Sequence, residues 1–123
     1  MIGNETFGER IRRLRGARKG SGPSFTLREF AKAVGVSPTF ISKMERGHFN
    51  PPSIETIKKM AIVLRVDPDE LLALAGKVDP ELDAIISTKP VAMARLLRTV
   101  HEMGLTDQEI LELSERIRQT RKP

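Results

Sequence analysis

Apolar residues recur at three- and four-residue intervals in segment after segment of this chain, a spacing that predicts helices. Phe7, Ile11 and Leu14 open the first, expected to run to about Arg18, with Arg10, Arg12, Arg13 and Arg15 on its other faces. Residues 1–6 read as a loose start, and residues 18–25, rich in Gly, Ser and Pro, read as a loop. Thr26 with Glu29 forms a capping box for a second helix carrying Phe30, Ala31 and Val34, which Gly35 ends. Ser37 caps a third, Pro38 suits its first position, and Phe40, Ile41 and Met44 form its stripe before Gly47. Pro51 and Pro52 keep the next stretch irregular.

Ser53 then caps a helix to about Leu64 with Ile54, Ile57, Met60, Ala61 and Leu64 on one side. Asp67-Pro68 opens a fifth through Leu71, Leu72, Leu74 and Ala75, closed by Gly76. Three more follow: from Pro80 with Leu82, Ile85 and Ile86; from Pro90 with Met93, Leu96, Leu97, Val100 and Met103; and from the capping box of Thr106 and Glu109 with Ile110, Leu113 and Ile117. The tail from Arg118 to Pro123 is expected to fray. The last three helices carry too little apolar mass for a core of their own, so they are expected to pack on the first module or on another copy.

Charge changes this picture more than composition does. The net charge is +5, but residues 1–49 hold ten Lys and Arg against four acidic residues, whereas residues 77–123 hold eight of each. A basic excess confined to the first part of the chain implies a polyanionic partner there, nucleic acid first. The chain has no cysteine, which excludes disulfides and thiolate metal sites and fits a reducing cytoplasm. No apolar run reaches membrane-spanning length and the start lacks a signal-peptide pattern, so a soluble protein is expected.

Residues 26–47 amount to two short helices joined through a glycine turn, a helix-turn-helix. Ala31, Gly35 and Ile41 at their mutual spacing, followed by Glu45-Arg46-Gly47, Asn50-Pro51 and Ser53-Ile54-Glu55-Thr56, resemble the Xre family of DNA-binding domains with the lambda-repressor-like fold. The resemblance spans about Phe7 to Leu74. It implies an all-α protein with a five-helix DNA-binding domain over residues 7–76; the three C-terminal helices that follow lie beyond the resemblance, and their thin apolar stripes make residues 77–119 an expected dimerisation region.

The resemblance further implies that the third helix enters the major groove of double-stranded DNA with Pro38, Thr39, Ser42 and Lys43 facing the bases. Lys43 is the expected base reader, donating to a guanine edge, while Thr39 and Ser42 bond to bases or touch a thymine methyl. Thr26, Arg28, Ser37, Arg46 and Asn50 are the expected phosphate contacts. Two departures thin the donor set: Leu27 stands where the family often has a phosphate-gripping glutamine, and Pro38 where it often has a polar side chain. DNA shape is then expected to add to readout.

Enzymatic chemistry has no support in the sequence, which has no Gly-rich phosphate loop, no HExxH and no nucleophile elbow. Neither His48 nor His101 has a partner at metal-ligand spacing, no cofactor is expected, and Glu45 reads as a structural partner for a nearby Arg. The expectation is a dimeric, sequence-specific repressor. The alternative is an antitoxin-type module that binds a partner protein through its C-terminal helices and DNA secondarily. A weaker resemblance, from Leu71 through Leu97-Arg98-Thr99, is to stress-response repressors that a partner metalloprotease cuts in those helices, which places the expected cut near Leu97-Arg98.

Overall fold

The computed structural model describes residues 5–16 and 25–122. They form eight helices and no strand: α1 (Phe7–Gly16), α2 (Leu27–Val34), α3 (Pro38–Glu45), α4 (Ile54–Leu64), α5 (Pro68–Leu74), α6 (Pro80–Thr88), α7 (Pro90–Glu102) and α8 (Asp107–Thr120). This is the expected all-α order of five helices and then three. Residues 18–24 of the expected loop, the last two residues of the expected first helix and most of the loose start lie outside the described residues. One expectation fails at the other end. The helical ladder of α8 runs on through Thr120, so the tail does not fray from Arg118.

The chain divides into two compact units, Met1–Asp79 and Pro80–Pro123. In the first, a single core takes residues from all five helices: Phe7 and Ile11, Phe30, Ala31 and Val34, Ile41 and Met44, Ile57, Met60, Ala61 and Leu64, and Leu71 and Leu72. Burying side chains of this kind contributes about 1.5–3 kcal/mol each, so the aliphatic stripes, rather than propensity, hold these short helices. Gly8 has a particular place among them. A Cβ built on it falls 2.4 Å from the Met44 carbonyl oxygen and within 3.1 Å of the Glu45 backbone. Only a glycine lets α1 lie this close to the last turn of α3.

A carboxylate outside the helices ties the start of this unit together. Glu5 accepts hydrogen bonds from Arg13 Nε at 2.8 Å and from Arg10 Nε, and Arg10 also reaches Glu70 on α5. The Arg13 hydrogen bonds, then those of Arg10, hold the Glu5 carboxyl well below its ordinary 4.5, at about 2. A depressed pKa stabilises the fold fully above the unfolded value and loses that contribution as pH falls through the folded one. Thermal melts of the parent chain and of Glu5→Gln should therefore differ at neutral pH. The difference should close as pH drops from about 4.5 to about 2, and a constant gap across that window would refute the assignment.

In the second unit no residue of α6, α7 or α8 is fully buried. Ile86, Met93, Val100 and Leu113 are half-buried, while Leu82, Ile85, Leu96, Leu97, Met103, Ile110, Leu111 and Ile117 are exposed. The stripes expected from the sequence are present, in part half-buried and for the rest exposed. Leu97-Arg98 lies inside α7, where helical hydrogen bonds shield a peptide bond from cleavage until that helix opens.

Candidate nucleic-acid interface

The turn between α2 and α3 is set by local chemistry. Thr26 Oγ1 accepts from the Glu29 amide at 3.1 Å, and the Glu29 carboxylate accepts from the Thr26 amide at 2.9 Å. At the other end Gly35 adopts φ 91°, and the amides of Gly35 and Val36 both return to the Ala31 carbonyl. That left-handed residue turns the chain into α3, whose N-cap Ser37 accepts from the Phe40 amide at 3.0 Å. The two hydroxyls expected to grip phosphate, Thr26 and Ser37, are thus helix caps. Their acceptor side is in use, and each O–H still has a hydrogen to donate.

α3 closes in a Schellman motif: the His48 amide donates to the Lys43 carbonyl at 2.9 Å and the Gly47 amide to Met44 at 3.0 Å, with Gly47 at φ 80°. Ile41 and Met44 bury the back of the helix. Beside them Glu45 is 7% exposed and accepts two hydrogen bonds from Arg15 of α1, Nε at 2.8 Å and Nη2 at 2.9 Å. Arg15 spends its remaining nitrogen on the Phe25 carbonyl at 3.2 Å, and the Phe25 amide donates to the Arg15 carbonyl at 3.1 Å. The Glu45 hydrogen bonds also raise the Arg15 pKa above its ordinary value, so this guanidinium is a permanent cation. The Arg partner expected for Glu45 is therefore Arg15.

The same kind of pairing separates the four arginines on the other faces of the first helix. Arg10, Arg13 and Arg15 are engaged with Glu5, Glu70 and Glu45, and only Arg12 among the four stands outside the ion pairs of the described residues.

The front of α3 is open. An open cleft of about 390 Å³ is lined by Leu27 and Arg28 of α2, by Pro38, Thr39 and Ser42 of α3, and by Arg46. Five of the nine expected contact residues (Arg28, Pro38, Thr39, Ser42 and Arg46) meet there. Arg28, Pro38, Thr39 and Arg46 are exposed and Ser42 is half-buried. Lys43 is exposed and stands at the flank, its ammonium 5.7 Å from the centre of the Phe49 ring, and Asn50 is exposed in the segment after α3. Sequence reasoning counts Leu27 only as a missing donor and overlooks a second residue, Phe49. Leu27 forms an apolar part of the cleft wall, and Phe49 stacks on Phe40 with ring centres 5.5 Å apart and planes 21° apart. An aromatic in a turn otherwise made of His, Asn and Pro is the available signal for the second.

The surface so formed has hydroxyls, two guanidiniums and an apolar wall beside a projecting helix, the mixture that phosphate oxygens and base edges accept. Among the described residues no cluster of three or more His, Asp or Glu is placed to hold a metal, and no helix is long and apolar enough to cross a membrane.

Comparison with known proteins places this surface in a family. The helix-turn-helix model HTH_3 matches residues 11–71. The HTH-type transcriptional repressor RghR of Bacillus subtilis (strain 168) is 34% identical over 110 residues, 88% of this chain and 75% of RghR. The HTH-type transcriptional regulator RghRB of the same organism is 42% identical over 72 residues, 58% of this chain, and the chain spans 48% of its length. Among solved structures, the SinR protein/SinI protein complex has a TM-score of 0.49 at 23% identity, covering 94% of this chain and 97% of that one. The clp gene regulator ClgR from Corynebacterium glutamicum has a TM-score of 0.48 at 26% identity, covering 81% and 92%. With a helix-turn-helix at residues 26–47, an open cleft on α3 and a repressor matched over three quarters of its length, the chain belongs to the helix-turn-helix family of transcriptional regulators.

Proposed function

We propose that this chain is a cytoplasmic, sequence-specific repressor that seats α3 in the major groove of double-stranded DNA and acts as a dimer. The observation that carries the reading is the pairing of a rigid back and an open front on one eight-residue helix. Ile41, Met44 and Glu45 fix α3 to the core, and Thr39, Ser42 and Arg46 are left facing the cleft. In this reading Thr39, Ser42 and Lys43 meet base edges, while Thr26, Arg28, Ser37, Arg46 and Asn50 meet phosphates. Residues 7–76 are the DNA-binding domain.

Residues 77–119 are the dimerisation region. Support comes from the exposed Leu97, Leu111 and Ile117 on helices with no buried residue. Such apolar surface is stabilised by a cover. A second copy related by a two-fold axis would place two recognition helices roughly 34 Å apart on one face of DNA, on a near-palindromic operator. The same residues also suit a different partner protein, the antitoxin-type reading. Sedimentation of the pure chain separates the two, since a monomer at micromolar concentration favours the second.

The test of DNA binding is selection of bound duplexes from a random pool, followed by affinity measurements at several salt concentrations. A preferred sequence should emerge, with affinity falling steeply as salt rises. Arg46→Ala should weaken selected and random duplexes alike, and the slope of log K against log salt should drop by about 0.9 for each phosphate no longer neutralised. An unchanged slope removes Arg46 from the set of phosphate ligands, and a pool that never enriches defeats the whole reading.

A further inference from the structure

We infer that Phe49 is a positioning residue for sequence discrimination: its ring holds the Lys43 ammonium at the flank of α3 and so limits which base edge that side chain reaches. The inference rests on the DNA-binding reading above.

Phe49 is 45% exposed, so the core does not explain an aromatic there. Its position is nevertheless well determined. The Schellman closure of α3 brings the backbone back along the last helical turn, and the ring lies nearly flat on Phe40, itself half-buried against the core. The Lys43 ammonium stands over the same ring, 5.7 Å from its centre. That is within the range, about 6 Å, over which a cation is drawn to an aromatic face.

The placement on α3 makes this contact consequential. At about 100° per residue, Thr39, Ser42, Lys43 and Arg46 share one sector of the helix, and Lys43 is the member nearest Phe40. It therefore stands on the boundary between the groove-facing side and the aromatic pair. An unrestrained lysine is a long, mobile point charge able to sweep across several base pairs and phosphates. Held over a ring, it has already given up part of that freedom. A base edge within its remaining reach is bound at lower entropic cost, and others are not. The ring thus contributes to discrimination and adds no phosphate contact of its own.

The experiment uses the full chain, the duplex it selects from a random pool and a random duplex, at two salt concentrations. Phe49→Leu keeps apolar bulk and removes the aromatic face; Phe49→Tyr keeps the face. For Phe49→Leu the ratio of selected to random affinity should fall about two- to fivefold, the range of an exposed cation–π contact. The salt slope should stay unchanged and Phe49→Tyr should restore the ratio. In a Lys43→Ala background, Phe49→Leu should have no further effect.

Loss of affinity for both duplexes equally, or additivity with Lys43→Ala, would show a merely structural ring and overturn the inference. A parent chain with clear preference and an undiminished ratio in Phe49→Leu overturns it alone. A parent chain with no preference removes the DNA-binding reading and this inference with it.

Discussion

Replacing Glu45 by alanine should destabilise the first unit by about 3 kcal/mol, the lower end of the cost of leaving one member of a buried ion pair behind. The Glu45 side chain is 4% exposed and Arg15 is 16% exposed, so water reaches the abandoned guanidinium poorly. Arg15 would keep its bond to the Phe25 carbonyl and forfeit both charge-assisted bonds to the carboxylate. In a domain of this size, each kcal/mol moves the melting temperature by about 4–8 °C, so calorimetry should record a fall of at least about 12 °C. DNA affinity should fall with it, because Glu45 is the polar anchor of α3 on α1. A double replacement, Arg15→Met with Glu45→Leu, should recover most of the stability, since the damage comes from an uncompensated charge rather than a missing attraction. Equal melting of the single and double variants would contradict this account.

The second large effect is expected at Gly8. An alanine Cβ there must occupy space 2.4 Å from the Met44 carbonyl oxygen and 3.0 Å from that of Glu45. These are backbone atoms of α3 and its closing turn, so no side-chain rotation relieves the clash. One helix has to move by several tenths of an ångström, and that shift disturbs the buried Ile11 and Met44. Overpacking of this kind costs about 3 kcal/mol at the upper end of its usual range, even though alanine is the better helix former by about 1 kcal/mol. The displacement falls on α3, the proposed recognition helix, so Gly8→Ala should lose sequence preference as well as stability. Gly16→Ala is the control, because a Cβ there meets nothing within 4 Å among the described residues. It should be neutral or mildly stabilising in a denaturant titration. If Gly8→Ala melts with the control, the close approach of α1 to α3 is not what the glycine is for.

These two sites also mark where sequence legibility ends. Helix boundaries are readable because their causes are local: the capping boxes of Thr26 with Glu29 and Thr106 with Glu109, and the caps of Ser37 and Ser53, all act within three residues. The outer face of α3 is readable for the same reason, as its apolar positions leave Thr39 and Ser42 on the other side. Partners distant along the chain are not. Four arginines in the first helix look equivalent, and nothing in their spacing selects Arg15 for Glu45, thirty residues away. Gly8 reads in sequence as a weak spot in a helix. Its purpose exists only once Met44 lies against it. Arg65 at φ 59° is similar: a glycine would announce that turn, and an arginine does not.

The two hydrogen bonds between Arg15 and Phe25 have a bearing on how this scaffold tolerates change. They fasten the exit of the first helix to the entry of the second, so Arg15 and Phe25 are held together by bonds that do not depend on what separates them in sequence. In general, lengthening a flexible connection between two fixed points adds only about 0.6 kcal/mol for each doubling. Peptide tags or sensor sequences grafted between residues 16 and 25 should leave the reading head in register.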